Sequence, residues 1–118
     1  MRTTIFCLAL TILLTSCGIF KTLNSNTTIK PNDSFLLGNN EHGVFRVGLK
    51  NESITDLEIY YAPIAGGKHS TQIVKPSQSV NLKVDANTAL VINNKSNQTA
   101  AVKLKVKGDL GLSMDFKN

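Results

Sequence analysis

From about Phe35 to Asn118 the chain alternates apolar and polar residues with a period of two, the mark of strands buried on one face. Phe45, Val47 and Leu49 point one way, and Val44, Arg46, Gly48 and Lys50 the other. Leu57, Ile59 and Tyr61 oppose Asp56, Glu58 and Tyr60; Val80, Leu82 and Val84 oppose Asn81 and Lys83. Val102, Leu104 and Val106 oppose Lys103, Lys105 and Lys107. Leu110, Leu112, Met114 and Phe116 oppose Gly111, Ser113 and Asp115. Leu90-Val91-Ile92 is continuously apolar, as a strand covered on both faces would be. Gln72–Lys75 is a weaker strand, and Phe35–Leu37 begins the sheet. Between these runs lie turn-forming residues, among them Asn51-Glu52-Ser53, Pro63 with Gly66-Gly67, Pro76-Ser77, Asp85-Ala86-Asn87 and Gly108-Asp109. No segment carries a helical stripe. The pattern predicts an all-β fold: a small antiparallel β-sandwich or barrel of six to eight strands.

The stretch Val74–Val106, with its Pro-containing turn, strand, short loop and strand, resembles immunoglobulin-like sandwich domains. That resemblance is architectural. It implies a fold class and no function, and the chain lacks the Cys–Trp–Cys core of those domains.

The first residues follow a different pattern. Arg2 is followed by Ile5–Leu14, apolar except for Thr11. Ten residues of helix rise about 15 Å, roughly half the hydrocarbon thickness of a bilayer, so the run suits the apolar centre of an export signal. Leu14-Thr15-Ser16-Cys17 then resembles the lipobox of bacterial lipoproteins. The resemblance implies cleavage before Cys17, a diacylglyceryl group on its sulfur, and palmitate or a similar acyl chain on the new N-terminus. Two or three chains bind a bilayer almost permanently, since each buried CH₂ contributes about 0.8 kcal/mol. Gly18, not Asp, follows the cysteine, which among enterobacterial lipoproteins favours the outer membrane. No acidic cluster of the kind found in surface-exported lipoproteins of Bacteroidetes-like bacteria follows it, so the expected location is the periplasm-facing outer membrane.

Three regions result: a signal helix over residues 1–16, a lipidated Cys17 with a flexible tether over 17–34, and a β-sandwich over 35–118. Asn24–Ser34 (NSNTTIKPNDS) lacks a hydrophobic period and reads as linker. Fully stretched, the links from Cys17 to Ser34 would span roughly 55–60 Å.

Composition narrows the functional classes. The 118 residues carry 13 Lys+Arg against 8 Asp+Glu, two Cys and no Trp. Cleavage before Cys17 removes Cys7 and Arg2 with the signal, leaving the anchor as the only thiol and stability to packing alone. The two histidines, His42 and His69, stand in loops apart from any nucleophile motif. Gly66-Gly67-Lys68-His69-Ser70 lacks the spacing of a phosphate-binding loop. Neither a catalytic set, a metal site nor a cofactor is predicted. Asn-x-Ser/Thr sequons, among them Asn51-Glu52-Ser53 and Asn94-Lys95-Ser96, are moot beside a bacterial lipobox.

The surface features are Lys103, Lys105 and Lys107 on one strand face, with Lys83 as a possible neighbour, Lys68 on its glycine turn, and Tyr60, expected exposed beside a buried Tyr61. The lysine stripe suits anionic headgroups or an acidic envelope protein; alternatively it is a solvated face or protects a sheet edge. No stacking aromatic accompanies it, which argues against nucleic acid. The loops Asn39–Gly43 and Ala65–Ser70 are further contact candidates. The expected function is a lipid-anchored, non-enzymatic binding or structural accessory module of the cell envelope. One alternative is an inhibitor or adhesin-type module, similar in size and address to envelope lysozyme inhibitors, presenting Lys68 to an acidic cleft. A second is a small hydrolase using a loop histidine.

Overall fold

The computed structural model describes residues 21–117. The expected signal and the expected lipidation site Cys17 lie outside them. The described residues form β1 (Thr22–Ile29), β2 (Asp33–Leu37), β3 (Phe45–Asn51), β4 (Leu57–Pro63), β5 (His69–Val74), β6 (Ser79–Val84), β7 (Thr88–Asn94), β8 (Ala100–Gly108) and β9 (Met114–Phe116). Two sheets result, in the orders β1-β8-β3-β6 and β5-β4-β7-β2-β9. Every pairing is antiparallel.

The first eight strands pair as β1 with β8, β2 with β7, β3 with β6 and β4 with β5. This is one long hairpin rolled up so that successive pairs fall into alternate sheets, the connectivity of a jelly roll. The chain is thus all-β and an antiparallel sandwich, as its periodicity predicts. Nine strands replace the expected six to eight, and the immunoglobulin-like refinement is corrected. Local alternation defines strands and faces, but pairing between the first and eighth strands is set by contacts about eighty residues apart.

The inward residues of both sheets make the core. Phe45, Val47, Leu49, Val84, Val102, Leu104 and Val106 come from the four-stranded sheet; Phe35, Leu37, Leu57, Ile59, Val74, Leu90 and Ile92 come from the other. Val91 is buried too, so β7 is covered on both faces.

Two buried asparagines fix the places where the chain crosses between sheets. Asn51 ends β3, and its amide donates to the carbonyls of Thr55 and Val74 while its oxygen accepts from the N–H and hydroxyl of Ser53. Asn94 ends β7 and repeats the device: its amide faces the carbonyls of Ile29, Lys30 and Gln98, and its oxygen accepts from Ser96. Both side chains are fully buried. Truncating either would leave several buried backbone groups unpaired, a loss of about 3 kcal/mol. The two sequons at these positions are therefore structural corners.

The segment read as linker is different from expectation. Residues 22–29 pair with β8 along their whole length, from Thr22↔Lys107 to Ile29↔Ala100. Their inward positions are Leu23, Ser25, Thr27 and Ile29, so the period-two signal is carried largely by hydroxyls. Ser25 and Thr27 satisfy each other at 2.8 Å. Pro31-Asn32 is a tight turn into β2, with Asn32 at φ 58° and the Asp33 N–H bonded to the Lys30 carbonyl. The folded unit thus includes Thr22–Ile29 and is not confined to the residues from Phe35 onward. At the other end, only Met114–Phe116 of the expected last strand pairs, and Met114 and Phe116 are exposed. Leu110 and Leu112 pack against the core from a loop.

Candidate functional site

Strand order and register decide which outward residues meet. Across the four-stranded sheet, Thr22, Lys107, Arg46 and Lys83 form one row; Asn24, Lys105, Gly48 and Asn81 the next; Asn26, Lys103, Lys50 and Ser79 the third. Six cations share this face, and the three rows hold no carboxylate. The stripe Lys103, Lys105, Lys107 is joined by Lys83, as its position suggested, and by Arg46 and Lys50, which sequence reasoning placed outward but could not bring to the stripe. The missing knowledge was the pairing of β3 with β8, which no local pattern encodes.

Three direct cross-strand pairs are of like charge: Arg46 with Lys107, Arg46 with Lys83, and Lys50 with Lys103. Such pairs destabilise a sheet by a few tenths of a kcal/mol or more each. Edge protection does not account for the pairs of Arg46 with Lys107 and Lys50 with Lys103, because β8 and β3 are the two central strands of the sheet; only Lys83 stands on an edge strand, β6. Neither ion pair found among the described residues involves the face.

Gly48 sits at the centre and removes a side chain where the rows would otherwise be full. Two shallow hollows flank it, of about 550 Å³ between Arg46, Lys83, Lys105 and Lys107 and about 400 Å³ between Lys50, Lys103, Lys105 and Asn24. Asn81 lines both. Beyond the first row stand Asp85, in a separate hollow with Tyr61, His69 and Lys83, and Asp109. The amides of Gly43 and Gly111 donate to the Asp109 carboxylate and hold it below its ordinary pKa.

Lys68 and Tyr60 lie on the outer face of the other sheet and are engaged with each other. The Lys68 ammonium is 4.3 Å from the Tyr60 ring centroid and 3.5 Å from Glu58. Lys95 donates to the other Glu58 oxygen at 2.8 Å. The hydrogen bond from Lys95 is the main reason the Glu58 carboxyl sits below its usual range, against the opposing effect of desolvation. Tyr60 and Tyr61 are both half-buried, so the expected contrast between them is weaker than alternation implied. Tyr61 faces inward, and burial raises its phenol pKa.

His42 is buried, not a solvated loop residue. Its Nδ1 lies against the Gly43 carbonyl and its Nε2 is 2.8 Å from the Thr88 carbonyl, so both ring nitrogens are engaged by backbone. The Asn39–Gly43 loop is pinned as well: Asn40 bonds the Gly111 carbonyl and the Ser113 N–H, and Asn87 accepts from the His42 N–H. His69 is exposed on β5. No group of three or more His, Cys, Asp or Glu placed to hold a metal ion occurs among the described residues.

Fold and face together define a jelly-roll domain with one cationic side. No family model and no curated protein matches the chain. Among solved structures it is similar to PirA, at 18% identity over 69% of this chain and 90% of that one, with a TM-score of 0.51. It is also similar to procruciferin, an 11S globulin from Brassica napus, at 10% identity and a TM-score of 0.51, covering 80% of this chain but 22% of the globulin. At such identities the likeness extends to the fold alone.

Proposed function

We propose that the chain is a non-enzymatic binding module of the bacterial cell envelope, anchored by lipid on Cys17 and engaging an anionic partner through the outer face of β1-β8-β3-β6. The observation that carries this reading is the gathering of Arg46, Lys50, Lys103, Lys105 and Lys107 on the two central strands, with Lys83 beside them on β6, without a carboxylate between them. A face that merely kept the protein soluble would gain from mixed signs, since opposite charges across strands stabilise a sheet and like charges weaken it. The lipobox Leu14-Thr15-Ser16-Cys17 supports the address. The inhibitor alternative is weakened, because Lys68 lies over Tyr60 and beside Glu58 instead of projecting as a basic finger. The hydrolase alternative loses His42 to two carbonyls.

Two measurements test it. Palmitate fed to a bacterial host expressing the full chain is expected to label it, and Cys17→Ser to abolish the label. The purified chain is expected to bind inorganic polyphosphate, with affinity falling steeply with salt. Lys103→Glu with Lys105→Glu and Lys107→Glu should weaken that binding by about two orders of magnitude, while Lys68→Glu with Lys95→Glu leaves it intact. Equal loss in both variants, or none in the first, overturns the assignment of the face.

A further inference from the structure

We infer that the partner of the cationic face is the anionic lipid surface of the bilayer in which Cys17 is anchored, so that the domain lies with its four-stranded sheet against the headgroups. The inference rests on the reading above and names its partner.

The first ground is where the chain enters the fold. β1 starts at Thr22, only five residues beyond Cys17, because the expected tether is mostly strand. Five links reach at most roughly 17 Å. Thr22 is register partner to Lys107, which begins the row Lys107, Arg46, Lys83. The anchor therefore leaves from the same sheet, and the same end of it, as the densest row of cations. A tether this short keeps that row close to the headgroups, where their attraction for Lys and Arg is strongest; the attraction fades over a Debye length of about 8–10 Å.

The second ground is the shape and chemistry of the face. Its cations spread over three rows on an open sheet, with hollows that are shallow and joined through Gly48, Asn81 and Lys105. A small anion would call for converging donors in an enclosed site; an array of headgroups calls for dispersed point charges. Five of the six cations are lysines, which act as such point charges, where Arg would mark bidentate recognition. None of the outward residues in the three rows is aromatic, so single-stranded nucleic acid and sugar rings find nothing to stack on. Val44, exposed beyond Arg46 on the same alternation, adds an apolar contact at the anchor end. A lipid chain joined to a basic patch is the known two-signal route to firm membrane attachment.

The test uses the lipidated full chain, reconstituted into vesicles of phosphatidylcholine alone or mixed with phosphatidylglycerol, with a dye on the headgroups. One fluorophore is placed through Ser79→Cys, on the cationic face at the end away from the anchor, and another through Ile73→Cys, exposed on the opposite sheet. Energy transfer from the Ser79 position is expected to rise severalfold when phosphatidylglycerol is present, to return to baseline in high salt, and to fail in the Lys103→Glu, Lys105→Glu, Lys107→Glu variant. The Ile73 position should not respond. Salt provides the same contrast with native side chains should the triple variant fold poorly. Equal transfer from both positions, or none that depends on phosphatidylglycerol, overturns the inference. If polyphosphate binding is nevertheless lost in the triple variant, the binding reading stands and only the bilayer is excluded as partner. If the triple variant binds polyphosphate like the parent, both fall.

Discussion

The two outer faces of this sandwich handle charge in opposite ways. On the five-stranded sheet the charges around Glu58 are matched: Glu58 lies between Lys68 and Lys95, Lys68 caps the Tyr60 ring, and Ser34 donates to Asn93 nearby at 3.0 Å. The Glu58 side chain is only 11% exposed there, and Val91, between its register partners Tyr60 and Leu36, is buried. On the four-stranded sheet six cations stand in rows with like charges opposite one another. One surface is built to be stable by itself. The other gives up stability that a few substitutions would restore, which is how a surface kept for a partner differs from one kept for the fold.

The largest expected effect comes from making the self-sufficient face resemble the other. Lys68→Glu with Lys95→Glu places like charge on both sides of a nearly buried carboxylate. Stability should fall by about 2 kcal/mol, lowering Tm by roughly 10 °C for a domain of this size. Thermal denaturation at neutral pH measures it. An unchanged Tm would mean that Glu58 is as loosely held as any surface residue, and the contrast between the faces would vanish.

The reverse experiment is expected to stabilise. Lys103→Glu, Lys105→Glu and Lys107→Glu leave three cations facing three carboxylates and turn two like pairs, Arg46 with 107 and Lys50 with 103, into opposite ones. At about 0.2–1 kcal/mol per pair the gain is about 1 kcal/mol, some 5 °C in Tm, with binding of polyphosphate lost in the same protein. Stability and binding should thus move in opposite directions. A variant that loses both would point to a structural role for the lysines.

The alternation of Phe45, Val47 and Leu49, and of Val102, Leu104 and Val106, reads directly as buried strand faces because each inward residue is strongly apolar. The outward set 103, 105, 107 was legible by the same rule. Two things were not. In β1 the inward positions include Ser25 and Thr27, which mimic linker composition; the strand exists because β8 supplies its hydrogen bonds. Likewise Arg46 and Lys50 join the lysine stripe only through a pairing of β3 with β8, more than fifty residues apart in sequence. Register is a tertiary property, and the face depends on it. His42 misled in another way: a residue in a Gly- and Asn-rich segment is buried because backbone carbonyls on both sides engage its ring.

Acid separates the faces further. Glu58 has its carboxyl pKa depressed in the folded state, so its stabilising contribution is complete above the unfolded value of about 4.3 and disappears as pH falls through the lower folded value. Asp109 acts in the same sense through the amides of Gly43 and Gly111. Between pH 5 and 3, Glu58→Gln should therefore flatten part of the loss of Tm, and Glu58→Gln with Asp109→Asn more of it. The three rows of the cationic face contain no carboxylate, so Lys103→Gln, Lys105→Gln and Lys107→Gln should shift the whole curve without changing its slope there.

The smallest effect tests what kind of surface the cationic face is. Gly48 lies in a strand interior without a left-handed φ, so alanine is sterically allowed by its backbone. The new Cβ would come 3.3 Å from Asn81 Oδ1, an exposed amide that can swing aside by the few tenths of an ångström required. Replacing glycine there should add up to about 0.5–1 kcal/mol of stability through lost freedom of the unfolded chain. If the face works by dispersed charge, polyphosphate affinity in Gly48→Ala stays within about twofold, because no charge has moved and phosphate contacts dominate the binding. A tenfold loss would mean that the hollow over Gly48 receives a group of the ligand, and the open sheet would then be a fitted site with the lysines as its rim.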